Sequence, residues 1–328
     1  MRKTVLNEVY NLAKKDKRIF YIGSDVGAGT LDEFKKEIPD RFFIEGIYEQ
    51  NIIGMAAGLA MEGKIVYVNT IATFITRRCF EQLVLDLGLH NVNVRLIGNG
   101  GGLVYAPLGP THEATEDIGI LRTIPNMTIL VPADAEEMKR LVPATVEHKG
   151  PIYIRLGKGG DPVVTNHSQS FVIGKAYPMR EGSDALIITT GVALKIALDA
   201  ADELKKEGIK TAVIHVPTIK PFDNKTILSY AKKVSVILSV EEHTIIGGLG
   251  SAVSELVAEA NFDTPKKFKR IGIPDVFPDK YGSQTDLMGY YGISTQNLVN
   301  TIKELLGSGA NEKKEKAKKE MNNKKAKK

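Results

Sequence analysis

RFFIEGIYEQNIIGMAAGLAMEGKIVYVNTI, residues 41–71, carries a strand, a helix and a second strand in one passage. RFFIEG (41–46) and KIVYVNTI (64–71) are short runs of aromatic and β-branched residues, the composition that suits a pleated, buried surface. The stretch between them, 48–61, has helical length and a single charge, Glu49. The same alternation extends outward, with strands read at 18–25, 93–100, 127–134 and 151–157 and helices at 75–88, 114–124 and 134–148. Asp134 followed by Glu137 marks the start of the last helix as a capping box. Ile- and Val-rich strands alternating with helices imply an α/β fold whose mostly parallel sheet is flanked by helices on both faces.

Polar, turn-rich segments, KGGDPVVTNHSQSF (158–171) and KAYPMREGSD (175–184), interrupt the pattern. The chain therefore divides into a first domain over 1–165, a linker over 166–182 and a second α/β domain over 183–307. In the second domain strands are read at 184–191, 210–217, 233–242 and 266–274, and helices at 193–207, 223–232, 249–261 and 294–306. A length of 328 residues suits about two domains, and 43% hydrophobic with 25% charged residues is ordinary for a soluble protein. No apolar stretch approaches the roughly 18 residues of a membrane span. The start, MRKTVLNEVYNLAKKDKR, lacks the apolar core of a signal peptide. The single cysteine, Cys79, excludes an internal disulfide framework and a multi-cysteine zinc site. A cytoplasmic setting is expected.

The net charge of +5 is not spread evenly. Nine lysines and three glutamates put residues 308–328 at +6, and the remaining 35 basic and 36 acidic residues leave the body at −1. The excess belongs to SGANEKKEKAKKEMNNKKAKK, a low-complexity tail with no aromatic, Val, Ile or Leu, read as disordered. A nucleic-acid-binding body is not implied.

Familiar cofactor loops are missing. No G-x-x-x-x-G-K-[ST] occurs, which excludes P-loop phosphoryl transfer. GGLGSAV (247–253) places Val253 where a dinucleotide fingerprint needs its third glycine, so it reads as a tight strand-to-helix connection. GNGGG (98–102) reads as a turn or active-site loop. Glu49 heads an almost uncharged helix in which Gly54, Ala57 and Gly58, at i, i+3 and i+4, offer a small-residue face. That is equally a buried packing helix with Glu49 as a solvated cap. If a partner covers the carboxyl, desolvation favours its protonated form and suits a proton donor near neutral pH. Phe74, Arg77 and Phe80 recur at i, i+3 and i+6, a pattern more typical of core, but the pair Arg77 and Arg78 favours a site rim. His112 sits in GPTHEATEDI (109–118), a candidate acid or base. The other histidines, His90, His148, His167, His215 and His243, have no such context, and Cys79 reads as a small apolar filler.

The order of E-G-I-x-E-Q before a small-residue helix, A-T-F-x-x-R, G-P-T-H-x-x-x-E-D-I-x-x-L-R-x-I-P-N-M and L-V-P-A-D-A-E-E resembles the thiamine-diphosphate-dependent transketolase family. VPTIKPFD (216–223) and EEHTIIGGLGSAVSE (241–255) resemble its C-terminal domain. The likeness covers about residues 1–306 and is to the C-terminal half: pyrimidine-binding domain plus transketolase C-terminal domain, with features of 1-deoxyxylulose-5-phosphate synthase. It implies that Glu49 hydrogen-bonds N1′ of the cofactor's aminopyrimidine and drives the imino tautomer that takes the C2 proton. Phe74 matches the aromatic that stacks on the pyrimidine, Phe80 a second wall of that pocket, and Arg77 an arginine of the deoxyxylulose-phosphate synthases. His112 matches the histidine that contacts the substrate carbonyl, and Arg155 the arginine that reaches a sugar phosphate. The implied reaction moves a two-carbon ketol unit between sugar phosphates or related metabolites.

The chain also departs from that family. It contains no Gly-Asp-Gly, the motif that binds Mg²⁺ and the diphosphate, so the resemblance implies a split enzyme with that site on a separate diphosphate-binding subunit in an α2β2 heterotetramer. Leu108 stands where transketolases place an acidic residue, and Gly29 where they place a serine. The alternatives are the β subunit of the E1 component of a 2-oxoacid dehydrogenase, a deoxyxylulose-phosphate-synthase-like acyloin condensation, and a non-catalytic assembly subunit.

Overall fold

A computed structural model describes residues 1–24, 31–165 and 170–307. Gly29, His167 and the lysine-rich tail lie outside the described residues.

The chain begins with α1 (Arg2–Lys15), which the strand-and-helix reading omitted, then β1 (Ile19–Gly23), α2 (Asp32–Glu37) and β2 (Phe42–Ile44). The opening β-α-β passage becomes β2, α3 (Glu49–Met61) and β3 (Ile65–Ile71). Next come α4 (Phe80–Gln82), β4 (Val94–Asn99), α5 (Asp117–Arg122), β5 (Thr128–Leu130), α6 (Ala135–Ala144) and β6 (Ile152–Arg155). Asp134 caps α6 by accepting from the backbone N–H groups of Glu136 and Glu137 at 3.0 and 2.8 Å. The expected capping box is incomplete: Glu137 accepts from the backbone of Ala133, not from Asp134.

The second half runs β7 (Tyr177–Arg180), β8 (Ala185–Thr189), α7 (Ala193–Lys206), β9 (Thr211–His215), β10 (Thr218–Lys220), α8 (Asn224–Ala231) and β11 (Val236–Thr244). It ends with α9 (Leu249–Glu259), β12 (Lys267–Ile273), α10 (Gln284–Tyr290) and α11 over 295–307. The stretch read as linker thus contains a strand: β7 pairs antiparallel with β9 at the edge of the second sheet, where Pro178 is tolerated. Its alternating exposure, half covered and half open, hides a strand inside a polar sequence.

Two mostly parallel sheets result, with orders β10-β5-β6-β4-β3-β1-β2 and β12-β11-β8-β9-β7. They are not independent. β10 comes from the second half yet completes the first sheet, antiparallel to β5. Ile188, Ile214 and Val216 of the second half share one buried cluster with Val68, Ile129 and Val131 of the first. Among the described residues no helix is long and apolar enough to cross a membrane.

Candidate active site at the head of α3

Glu49 is the first residue of α3 and 1% exposed. Its Oε1 accepts a hydrogen bond from the Thr70 hydroxyl at 3.3 Å, and its Oε2 accepts from the Arg78 guanidinium at 2.6 Å. Ser24 donates to the same Thr70 hydroxyl at 2.9 Å. Asn99 donates to the Thr70 carbonyl at 3.0 Å and to Asn69 Oδ1 at 2.7 Å. Thr70, Asn69 and Asn99 stand at the C-terminal ends of the adjacent parallel strands β3 and β4, and Ser24 directly follows β1. Ligands of open α/β sheets bind at that end.

Phe74 and His112 meet across this edge, ring centroids 5.2 Å apart at 67°. The Thr73 hydroxyl fixes the His112 carbonyl at 2.8 Å, and Thr111 Oγ1 lies 2.9 Å from His112 Nδ1. Glu49, Phe74 and His112, expected together, are linked through Arg78, whose guanidinium lies 4.5 Å over the Phe74 ring.

The helix that follows β3 is not the regular one expected over 75–88. Two π-helical segments, Phe74–Arg78 and Leu83–Leu89, flank the single turn of α4. The i→i+5 bonding of a π turn rotates side chains out of α-helical phase. Phe74, Arg77 and Phe80 therefore part company. Arg77 binds the Glu116 carboxylate, the Pro110 carbonyl at 3.1 Å and the Glu113 carbonyl at 2.9 Å, so it clamps the His112 loop. Phe80 packs against the core and lines a groove of 700 Å³ between the domains with Ile120, Ile246 and Phe277.

Arg155 also takes another role. It is buried, with its guanidinium bonded to Asp117 at 2.8 Å, to the Ala114 carbonyl at 3.0 Å and to the Glu242 carbonyl at 2.9 Å. The guanidinium is thus held in the seam rather than presented in an open cleft. Burial pushes the Asp117 carboxyl up, but Arg155, His243 and the Tyr153 hydroxyl together hold it below the usual carboxylate range.

A cleft of 390 Å³ presents two other cations. Arg2 and Lys158 line it with Asn99, Gly100, Tyr105 and Leu108. Asn99 is buried, and its Oδ1 has no partner among the described residues. Asn99 also ties the cleft to Glu49 through Thr70. Sequence reasoning passed over Arg2, Asn99 and Lys158, although GNGGG and KGG were both visible turns beside strand ends. Gly100 (φ +73°) is required there, because a Cβ would meet the Tyr105 ring at 2.2 Å. Cys79 is buried, and burial, helped by Glu49, pushes its thiol up to about 12, which suits a filler and not a nucleophile. GGLGSAV is a closed connection: Glu241 accepts from the backbone N–H groups of Leu249 and Gly250, both at 2.7 Å, filling the α9 N-terminus.

Two family profiles match the chain: "Transketolase, pyrimidine binding domain" over residues 1–160 and "Transketolase, C-terminal domain" over 174–298. The chain belongs to the transketolase family. It is a C-terminal-section subunit with both of those domains, and the family implies thiamine diphosphate. One subunit of the apulose-4-phosphate transketolase of Phocaeicola vulgatus is 36% identical over 307 residues, 93% of this chain and 97% of that one. The SqwH subunit of the 6-deoxy-6-sulfo-D-fructose transketolase of a Clostridium species is 34% identical over 306 residues, 93% of this chain and 94% of that one. A solved split-gene transketolase, an inactive β4 tetramer, is 33% identical with a TM-score of 0.85, covering 93% of this chain and 98% of that chain.

The transketolase-family site fits an aminopyrimidine on its own residues. A buried carboxylate has lone pairs to spare beyond one arginine and one hydroxyl. Phe74 beside it supplies a flat apolar face.

Proposed function

We propose that this chain is the pyrimidine-half subunit of a two-subunit, thiamine-diphosphate-dependent transketolase that moves a two-carbon ketol unit between phosphorylated or otherwise anionic sugars. The observation that carries the proposal is the buried Glu49 carboxyl at the head of α3, within one side chain of the Phe74–His112 pair. When bound, thiamine diphosphate supplies a carbon nucleophile and an electron sink. Glu49 holds the proton that passes to and from the aminopyrimidine nitrogen. Phe74 stacks on that ring, and His112 orients the sugar carbonyl or hydroxyl. Arg2 and Lys158 take the anionic end of the sugar, the role the resemblance gave to Arg155.

The diphosphate and Mg²⁺ belong to a second subunit, because this sequence has no Gly-Asp-Gly. The outer face of α3 suits that assembly. Gly54 and Gly58 open onto free space, while Ala57, expected beside them, is buried in the core. Ile47, Tyr48, Met61 and Leu89 are exposed. An α2β2 heterotetramer covers these groups; alone, the chain forms an inactive homo-oligomer, as its split-gene relative does. The working enzyme is cytoplasmic.

The decisive experiment co-expresses the chain with a Gly-Asp-Gly-bearing subunit and assays ketol transfer. Activity should require both chains, and Glu49→Ala should lower kcat by roughly three orders of magnitude or more. Activity from this chain alone, or oxoacid decarboxylation by the pair, would overturn the assignment.

A further inference from the structure

Arg78 makes two contacts with one planar group. Its guanidinium bonds the Glu49 carboxylate at 2.6 Å and lies 4.5 Å over the Phe74 ring. Those are the two positions that the proposed function gives to the aminopyrimidine: the hydrogen-bond partner of Glu49 and the flat group against Phe74. A guanidinium can imitate both, since it is planar, donates in a fixed fork and stacks on aromatic faces.

The Arg78 side chain is partly open to solvent. Among the described residues, Glu49 meets its charge and Phe74 its flat face, and it is 36% exposed. Glu49, by contrast, is 1% exposed and meets the Thr70 hydroxyl on its other oxygen. A buried carboxylate stripped of its counter-charge is costly, so something cationic or hydrogen-bond-donating must stand there in the cofactor-free chain. The π turn at Phe74–Arg78 brings Arg78 to that place and sends Arg77 the other way, to Glu116.

We propose that Arg78 is a built-in stand-in for the cofactor's aminopyrimidine: it keeps Glu49 paired and Phe74 covered, and swings out when thiamine diphosphate binds. Displacing it costs part of the binding energy, so apparent cofactor affinity is set below the intrinsic affinity by the fraction of molecules in which Arg78 has left. This rests on the proposed function, and its test separates the two.

The reconstituted two-subunit protein is titrated calorimetrically with thiamine diphosphate and Mg²⁺, comparing wild type, R78M and R78K. R78M should bind about tenfold tighter, since nothing has to be displaced, and R78K should fall between, keeping the charge but not the flat stack. In the isolated chain R78M should lower Tm and E49Q/R78M should restore it, because the orphaned carboxylate is then removed. Unchanged or weaker binding in both variants, with wild type still binding, overturns the stand-in and leaves the proposed function intact. No binding by any of the three overturns the proposed function, and the Tm cycle still reports whether Arg78 neutralises Glu49. An additive cycle overturns the inference.

Discussion

Two arginine–carboxylate pairs sit near the same end of the first sheet, and they are built oppositely. At the head of α3, Arg78 gives Glu49 one hydrogen bond and keeps a third of its own surface in solvent. In the domain seam, Arg155 is buried, and its guanidinium bonds one carboxylate and two carbonyls. Asp117 there also accepts from the Tyr153 hydroxyl at 2.6 Å. The contrast separates a pair that can exchange partners from one that cannot. Glu49 is held by a hydroxyl and one partly exposed guanidinium, whereas Arg155 in the seam is tied to a carboxylate and two carbonyls.

Breaking the first pair from the carboxylate side should have the largest effect on the reaction. Glu49→Ala costs at least about 4 kcal/mol of transition-state stabilisation in the reconstituted enzyme, while circular dichroism and subunit assembly stay unchanged. Breaking the second pair should act on the fold. Asp117→Asn leaves Arg155 buried without its counter-charge and should cost about 3 kcal/mol by denaturant unfolding. In wild type the Asp117 carboxyl is held below its unfolded value. The stability it contributes is present above the unfolded value and disappears as pH falls through the lower, folded one.

The seam has an opposite response at its alkaline side. Glu113 is buried with neither carboxylate oxygen partnered among the described residues, and burial, opposed by Arg77 and reinforced by Glu242, pushes it up to about 7. Glu242, which accepts from the Leu103 backbone and from Gln284, is likewise pushed up to about 7, first by burial. Raised carboxyls contribute their neutral-form stability at low pH and lose it as pH rises toward 7. Glu113→Gln should therefore stabilise the fold at pH 8 by about 3 kcal/mol, read as a higher Tm, and leave Tm unchanged at pH 4. An equal shift at both pH values would show that Glu113 is charged throughout.

The smallest effect should come from the open cleft. Lys158→Ala should raise the KM of an anionic sugar about tenfold, or about 1.4 kcal/mol, with kcat held. An equal loss for a sugar lacking its anionic group would remove Lys158 from the site.

Much of this was legible in the chain itself. The β-α-β passage at 41–71 is read correctly because the Ile, Val and aromatic runs are interrupted by one helix-length stretch. Glu49 and His112 stand out because each is a polar residue at the edge of an apolar or glycine-rich element. Arg77, Arg78 and Arg155 were visible as well, but their jobs were not. α-Helical spacing grouped Arg77 with Phe74, and the π turns put Arg78 there instead. The resemblance implied that Arg155 is a phosphate ligand, and nothing in its neighbours along the chain announces its contact with Asp117.

By itself, then, the sequence determined most of the element types and their order and singled out Glu49, Phe74 and His112 as candidate site residues. Those are set by local composition and by periodicity over a few residues. Tertiary structure alone decided that β10 completes the other half's sheet, that Arg155 is sealed in the seam and that Arg78 covers Glu49. The physical reason is that desolvation and charge pairing depend on which groups the fold brings within a few ångströms, and sequence spacing does not carry that information.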